Sequence, residues 1–205
     1  KIGKCGWNGT SVTFEPDPEI FKDINFSYQK VLDHLRQQSY LTKGVKITVK
    51  DERSKPNAVH SFYFEGGIVS FIKYLNSEDE ASHENIFYIN QEEQNILVEI
   101  AFQYINDIDT KELSFANNIN TGEGGMHLTG FRTALTRTLN DYARKNGYLK
   151  ESEENLIGDD VREGLTSIVS VKLREPQFEG QTKARLGNPE ARSAVETVAG
   201  ASIAE

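Results

Sequence analysis

Residues 165–188 read LTSIVSVKLREPQFEGQTKARLGN, and this stretch predicts a strand that leads directly into a polar loop. Its first nine residues form the clearest strand pattern in the chain, rich in β-branched and apolar side chains. Pro176 ends the strand, because proline has no N–H to donate to a sheet. Asn188 and Pro189 then predict the N-cap and the first residue of a final helix.

The loop brings three polar side chains together on one turn. Gly180 permits the turn, and Gln181, Thr182 and Lys183 follow it with an amide, a hydroxyl and an ammonium group. A lysine is a compact charge with three donors, which suits a terminal phosphate, and Gln181 could donate to a phosphate oxygen or orient a water. The alternative interpretation is an ordinary polar surface loop, since an isolated lysine is usually solvated.

The rest of the chain predicts one α+β domain, in which a mostly antiparallel or mixed sheet packs against two or three helices. Helices are predicted at 28–41, 68–76 and 128–145, the last being the longest, with a short helix or turn at 158–163 that has Asp159 as its N-cap. Strands are predicted at 10–14, 45–50, 61–65, 86–90, 96–105, 111–117 and 165–173. We expect 96–105 to be the central strand and 111–117 to be its partner.

Two groups of glycines need an interpretation. Gly122, Gly124 and Gly125 predict either a close backbone approach or a mobile loop, and both alternatives stay open. Gly66 and Gly67 precede a predicted helix and could indicate an anion site. No Lys-Ser/Thr pair follows them, so a tight turn between strand and helix is favoured.

Composition excludes several classes of protein. The 205 residues have a formal net charge of −8, which argues against an open nucleic-acid-binding surface over the whole domain. No apolar run approaches the roughly 18 residues of a membrane span, and the start has no signal-peptide pattern. The single cysteine, Cys5, rules out an internal disulfide and suits the cytoplasm. The four histidines have no metal-ligand spacing, so no metal site is predicted.

Several motifs occur in one order along nearly the whole chain. They are residues 9–17 (GTSVTFEPD), 64–67 (FEGG), 124–132 (GGMHLTGFR), 158–165 (GDDVREGL), 177–183 (QFEGQTK) and 186–188 (LGN). This series resembles the ATPase subunit of bacterial type IIA topoisomerases, which is the gyrase B protein of DNA gyrase or its counterpart in topoisomerase IV. The sequence does not decide between the two enzymes.

The resemblance implies a fold like the second domain of ribosomal protein S5. Residues 1–205 would form a single transducer domain, which in the family follows the nucleotide-binding domain. The chain does not begin with methionine, so we expect a fragment of a longer subunit whose C-terminal helix, from about residue 189, is truncated.

The resemblance also implies the roles of individual residues. Lys183 would be catalytic, and Gln181, Thr182 and Lys183 would bind the ATP γ-phosphate. Arg132, and less directly Arg137, would line a cavity through which DNA passes. Alternatively, these are ordinary surface arginines, or Arg132 is a structural residue paired with an acid of this domain.

The family's glutamate base, its Mg²⁺ site and its adenine pocket lie in the preceding domain. ATP and Mg²⁺ therefore belong to the full-length subunit, and the fragment alone is expected to be inactive. The implied partners are DNA, the nucleotide-binding domain, a second copy of the same protein and the DNA-cleaving subunit of the holoenzyme, without a membrane. Two alternatives remain, an S5-like nucleic-acid-binding module and a structural module, both without ATP coupling.

Overall fold

The structure is a computed structural model that describes Lys4, Gly6, residues 8–53 and residues 55–205. Within these residues the helices are α1 (Tyr28–Leu41), α2 (Ile68–Leu75), α3 (Met126–Lys145), α4 (Gly158–Arg162) and α5 (Pro189–Ile203). The strands are β1 (Ile47–Asp51), β2 (Ala58–Phe62), β3 (Phe87–Glu93), β4 (Ile96–Tyr104), β5 (Lys111–Ala116), β6 (Ile119–Asn120) and β7 (Leu165–Lys172). Cys5, on which the prediction of a reducing compartment depends, lies outside the described residues.

The main sheet has the strand order β3-β4-β7-β5-β6. β7 pairs antiparallel with β4 and parallel with β5, so the sheet is mixed, as predicted. The predicted pairing of β4 with β5 is wrong, because β7 lies between them and is the central strand. Every residue of β7 from Leu165 to Val171 is buried, which a strand covered by helices on both faces requires.

Helices cover both faces of this sheet. The five described helices all contact the sheet or a helix that covers it, rather than the two or three expected. Consecutive residues of a strand point to opposite faces, so Val169 and Ile168 of β7 enter different cores. The first core contains α3 and α5, with side chains that include Val98, Ile100, Phe131, Leu135 and Val195. The second contains α1 and α2, with Tyr40, Phe71, Ile72, Ala101 and Phe115 among its members.

Several predicted boundaries differ from the structure. The stretch 10–14 is not a strand, and its Val12 and Phe14 side chains are 80% and 72% exposed. A strand needs a neighbour to pair with, and no described strand lies beside this stretch. The strand predicted at 61–65 lies three residues earlier, as β2, where it forms a separate hairpin with β1.

β3 extends beyond the end of the strand predicted at 86–90. β3 continues to Glu93, and Gln94 and Asn95 alone form the connection, with φ angles of +53° and +61°. A two-residue turn with positive φ at both positions matches the right-handed twist of the paired strands. Because the turn needs only Gln94 and Asn95, the polar residues 91–93 pair with β4 and belong to β3.

Predicted helix positions are closer to the structure. α1 has the predicted bounds, and α2 and α3 differ from prediction by one or two residues. The predicted N-cap of α4 is wrong, because the cap is Ile157, whose N–H donates to Asp160 Oδ2 at 2.8 Å. Among the described residues, no helix is long and apolar enough to cross a membrane.

Candidate functional site

The segment from Glu175 to Asn188, here called the lysine loop, folds back on itself as a short hairpin. Phe178 and Leu186 form an antiparallel bridge. Beside it, the N–H of Glu179 donates to the carbonyl of Arg185 at 2.9 Å. These contacts fix the two arms of the loop, so its tip is held at a defined place despite its exposure.

Asn188 holds the base of the lysine loop. Its Oδ1 accepts from the N–H of Gln177 at 2.6 Å, and its Nδ2 donates to the carbonyl of Glu175 at 3.1 Å. Asn188 is at the N-cap position of α5, as predicted, but its side chain does not cap the helix. It is fully buried and instead satisfies backbone groups of the loop, which buried polar side chains commonly do.

The tip of the lysine loop carries Gln181, Thr182 and Lys183, and all three are exposed. Gly180 and Lys183 have φ angles of +84° and +55°, and the N–H of Lys183 donates to the carbonyl of Gly180 at 3.3 Å. Lys183 Nζ lies 5.9 Å from the centre of the Phe178 ring. In the part of the chain that the structure describes, no carboxylate is within ion-pair distance of this ammonium group. Its charge is therefore available to an external anion.

The lysine loop is bonded to the start of α3. Leu186 and Gly125 form a parallel bridge, in which the N–H of Leu186 donates to the carbonyl of Gly124 at 3.2 Å and the N–H of Met126 donates to the carbonyl of Leu186 at 2.8 Å. A Cβ atom on Gly125 would lie 2.5 Å from both the N and the O of Leu186. Gly125 is thus a site of close backbone approach, which is one of the two alternatives that the sequence left open, whereas a Cβ atom on Gly122 would meet no described atom within 4 Å.

Next to this bridge, His127 is completely buried at the first turn of α3. Its Nε2 lies 3.3 Å from Thr121 Oγ1, which is 2.6 Å from Ser114 Oγ, and its Nδ1 has no hydrogen-bond partner among the described residues. Burial lowers the pKa of His127 to about 4, so the ring is neutral at pH 7. No sequence pattern indicates this series of hydrogen bonds, since its three members lie on β5, on α3 and on the segment between β6 and α3.

Arg132 on α3 is paired with Glu112 on β5. Its Nε lies 3.1 Å from both carboxylate oxygens, and its second terminal nitrogen lies 2.5 Å from Oε2. The hydrogen bonds from Glu112 raise the pKa of Arg132 further above its usual value. This is the pairing that the structural interpretation of Arg132 requires. The arginine side chain is nevertheless 42% exposed, whereas that of Glu112 is 8% exposed.

The structure does not bring Arg137 to the same place as Arg132. Arg137 is exposed, and one of its terminal nitrogens lies beside Gly200 of α5, 3.0 Å from where a Cβ atom would be. Arg132 points instead towards β5, on another side of α3. The two arginines predicted as one DNA site therefore face different surroundings.

Two residues of this region were not predicted from the sequence. They are Glu112 and Arg162, which line an open cleft together with Ile108, Thr110, Arg132, Asp159 and Glu163. Arg162 Nε lies 4.0 Å from Glu112 Oε2, and its terminal nitrogen donates to Asp159 Oδ1 at 2.6 Å. No local sequence pattern indicates such a cluster, because its members come from β5, α3 and α4.

No metal centre is found within the described residues, where no group of three or more His, Cys, Asp or Glu side chains could hold an ion. The lysine loop carries the exposed Lys183 and an ion pair of Glu179 with Arg185 at 3.3 Å. These groups fit the binding of an anion.

Comparisons with known proteins agree with this architecture. The family model described as DNA gyrase B matches residues 67–205. The DNA gyrase B protein of Clostridium acetobutylicum is 51% identical over 97% of this chain, and that of Halalkalibacterium halodurans is 48% identical over 96%. The chain covers 31% of each of these relatives, so it spans about a third of their length.

Solved structures show the same relationship. The 43K ATPase domain of Thermus thermophilus gyrase B superposes with a TM-score of 0.79 at 39% identity, covering 92% of this chain and 50% of that one. The predicted α+β class, with a mixed sheet packed against helices, is confirmed by this match and by the strand order. The chain therefore belongs to the DNA gyrase B family.

Proposed function

We propose that residues 1–205 are the transducer domain of a type IIA topoisomerase ATPase subunit and couple ATP binding and hydrolysis to DNA strand passage. The observation that carries this proposal is the bridge between Leu186 and Gly125. It joins the loop that carries Lys183 to the helix that carries Arg132. A change at the loop tip can therefore reach the helix through backbone hydrogen bonds.

Lys183 is the residue that acts on the nucleotide. Its ammonium group is exposed, lacks a carboxylate partner in the described chain and stands on a loop with a fixed base. With ATP held by the preceding domain, Lys183 donates to the γ-phosphate, and Gln181 and Thr182 offer further donors beside it. One such donor, acting on charge that develops in the transition state, contributes about 3–4 kcal/mol.

The remaining catalytic groups belong to other parts of the full-length protein. The general base and the Mg²⁺ ligands are assigned to the preceding nucleotide-binding domain, and Mg²⁺ there would neutralise phosphate charge. This chain alone is then inactive. Its task is to complete the site from outside, which explains why its cation is on a loop tip and not in a pocket.

The second task is contact with DNA. Arg132 has an exposed edge at an open cleft, and Arg137 is exposed on α3. Contacts of this kind go to phosphates and carry no base specificity, which suits a segment of any sequence. We assign Arg132 as the main contact and Arg137 as a secondary one.

The similarity to relatives named as DNA gyrase B proteins supports the proposal of an assembly in which these tasks are combined. We propose that the full-length protein dimerises with a second copy when ATP binds and works in the cytoplasm with the DNA-cleaving subunit of the holoenzyme. In such an assembly the transducer domain lies between the nucleotide and the DNA.

The test is chemical modification of lysines in the full-length protein, with and without a non-hydrolysable ATP analogue. We expect the analogue to protect Lys183 and to leave Lys172, an exposed lysine at the end of β7, equally reactive. An S5-like nucleic-acid-binding or structural module predicts no protection by nucleotide. Unchanged reactivity of Lys183 would therefore favour that second candidate.

A further inference from the structure

Glu112 is a charged residue to which the proposed function gives no role. Its side chain is 8% exposed, and a buried carboxylate is costly unless it is paired and hydrogen-bonded. Two guanidinium groups compensate it, since Arg132 binds both of its oxygens and Arg162 Nε lies 4.0 Å from Oε2. The Glu112 carboxylate therefore stabilises the Arg132 guanidinium group in its observed position.

The geometry of the pair decides which part of Arg132 is free. Nε and one terminal nitrogen are directed at Glu112, at 3.1 Å and 2.5 Å. A guanidinium binds a phosphate best through two parallel N–H groups, as it binds a carboxylate. Because Glu112 takes up one such edge of Arg132, a DNA phosphate must use the remaining edge or displace the carboxylate.

The charges that line the surrounding cleft also oppose strong binding of a phosphate. Its lining has two arginines, Arg132 and Arg162, against three carboxylates, those of Glu112, Asp159 and Glu163. Arg162 is itself bonded to Asp159 at 2.6 Å. A phosphodiester that enters the cleft thus meets a guanidinium group, but the lining as a whole has no net positive charge that would attract it.

We propose that Glu112 competes with DNA phosphate for Arg132 and so keeps this contact weak and rapidly reversible. The inference rests on the proposed DNA role of Arg132. A segment that must pass through an enzyme gains from contacts that neutralise its charge without retaining it. Glu112 supplies this property by holding the same guanidinium group that the phosphate approaches.

The test is the binding of duplex DNA to the full-length protein, closed with a non-hydrolysable ATP analogue, over a series of salt concentrations. In Glu112→Gln the amide keeps the size of the side chain and removes the competing charge. We expect about fivefold tighter binding and a salt slope steeper by about one unit, as for one added phosphate contact. Glu92→Gln, an exposed acid on the edge strand β3, removes an equal charge and should change neither value by as much.

Combining Glu112→Gln with Arg132→Gln distinguishes the DNA role of Arg132 from the competition by Glu112. Both proposals stand when the gain of Glu112→Gln disappears in the double variant. If the double variant binds as tightly as Glu112→Gln, the DNA role of Arg132 is wrong. If Glu112→Gln binds no tighter than the wild type while Arg132→Gln binds more weakly, Arg132 contacts DNA and the competition by Glu112 is wrong.

A second variant covers a failure of Glu112→Gln to fold, which a melting curve would reveal. Glu112→Asp keeps the buried charge but is shorter by one methylene group, so it loosens the hold on Arg132. We expect DNA binding about twofold tighter than in the wild type. Equal or weaker binding would mean that Glu112 orients Arg132 towards DNA instead of competing for it.

Discussion

Gly125 and Leu186 form a parallel backbone bridge that joins the glycine-rich loop to the lysine loop. The carbonyl of Gly124 and the N–H of Met126, on either side of Gly125, both bond to Leu186, at 3.2 Å and 2.8 Å. Leu186 is itself fully buried in the core formed with α3 and α5. The position of the lysine loop is therefore tied to the start of α3 by backbone and by packing together.

Gly125→Ala should break this bridge. The added Cβ would lie 2.5 Å from backbone atoms of Leu186, and the φ angle of +137° is one that alanine rarely adopts. We expect a loss of roughly 2–4 kcal/mol in the free energy of unfolding, measured by urea denaturation. Gly122→Ala is the matched control, because no described atom lies within 4 Å of its Cβ position, and it should change stability by less than about 0.5 kcal/mol. Equal stability of the two variants would contradict this role of the bridge.

Lys183→Ala should separate catalysis from stability. In the full-length protein we expect kcat for ATP hydrolysis to fall by about two to three orders of magnitude, since one donor to the developing phosphate charge is lost. The melting temperature should not change, because the side chain is exposed and has no ion-pair partner in the described chain. Lys172→Ala controls for the loss of an exposed charge. A Lys183→Ala variant that hydrolyses ATP as fast as Lys172→Ala would rule out the catalytic role of Lys183.

The sequence predicted the elements of this fold better than their arrangement. The apolar stripe of α1 predicted its bounds, because helical periodicity is a local property. The sequence placed β5 beside β4 by proximity in the chain, yet β7 lies between them. Burial on both faces is what selects the central strand, and it depends on helices that are distant in sequence.

In the candidate site, too, the sequence could predict local groups of residues but not pairs that are distant in sequence. Gln181 to Lys183 follow a glycine on one turn, so the sequence could locate them together. The pair of Arg132 with Glu112 joins α3 to β5 over 20 residues, and no spacing rule connects such positions. The family resemblance implies the DNA contact of Arg132, with pairing to an acid of this domain as the alternative, and a single sequence does not reveal which acid the guanidinium group faces.

Arg132→Gln should lower the stability of this chain. It would leave the Glu112 carboxylate, 8% exposed, without its two closest donors. We expect a loss of about 2 kcal/mol in the free energy of unfolding, within the range for an unsatisfied buried polar group. In the double variant with Glu112→Gln, two neutral amides can pair, so most of the loss should be recovered. A double variant as unstable as Arg132→Gln would show that the ion pair is not the cause.

This chain alone should bind ATP no more tightly than millimolar, or about −4 kcal/mol. Its phosphate-binding groups are confined to an exposed loop tip, and adenine binding is assigned to the preceding domain. Isothermal titration calorimetry with ATP and Mg²⁺ measures this directly. A dissociation constant in the micromolar range would mean that the nucleotide pocket lies within this chain.

His127 should make the stability of this chain depend on pH. Its pKa is lowered to about 4 in the folded state by burial, against about 6.5 in the unfolded chain. Between these values the unfolded state binds more protons than the folded state, so stability falls as pH falls. The contribution of His127 is fully present above about pH 6.5, and about 3 kcal/mol of it is lost by pH 4.

The measurement is the free energy of unfolding at a series of pH values from 7.5 to about 4. His127→Gln can still hydrogen-bond to Thr121 but does not titrate, so its curve should be flatter than that of the wild type over this range. Parallel curves for the wild type and His127→Gln would mean that the buried ring does not carry the pH dependence. His127→Gln should still fold at pH 7, because the ring that it replaces is already neutral there.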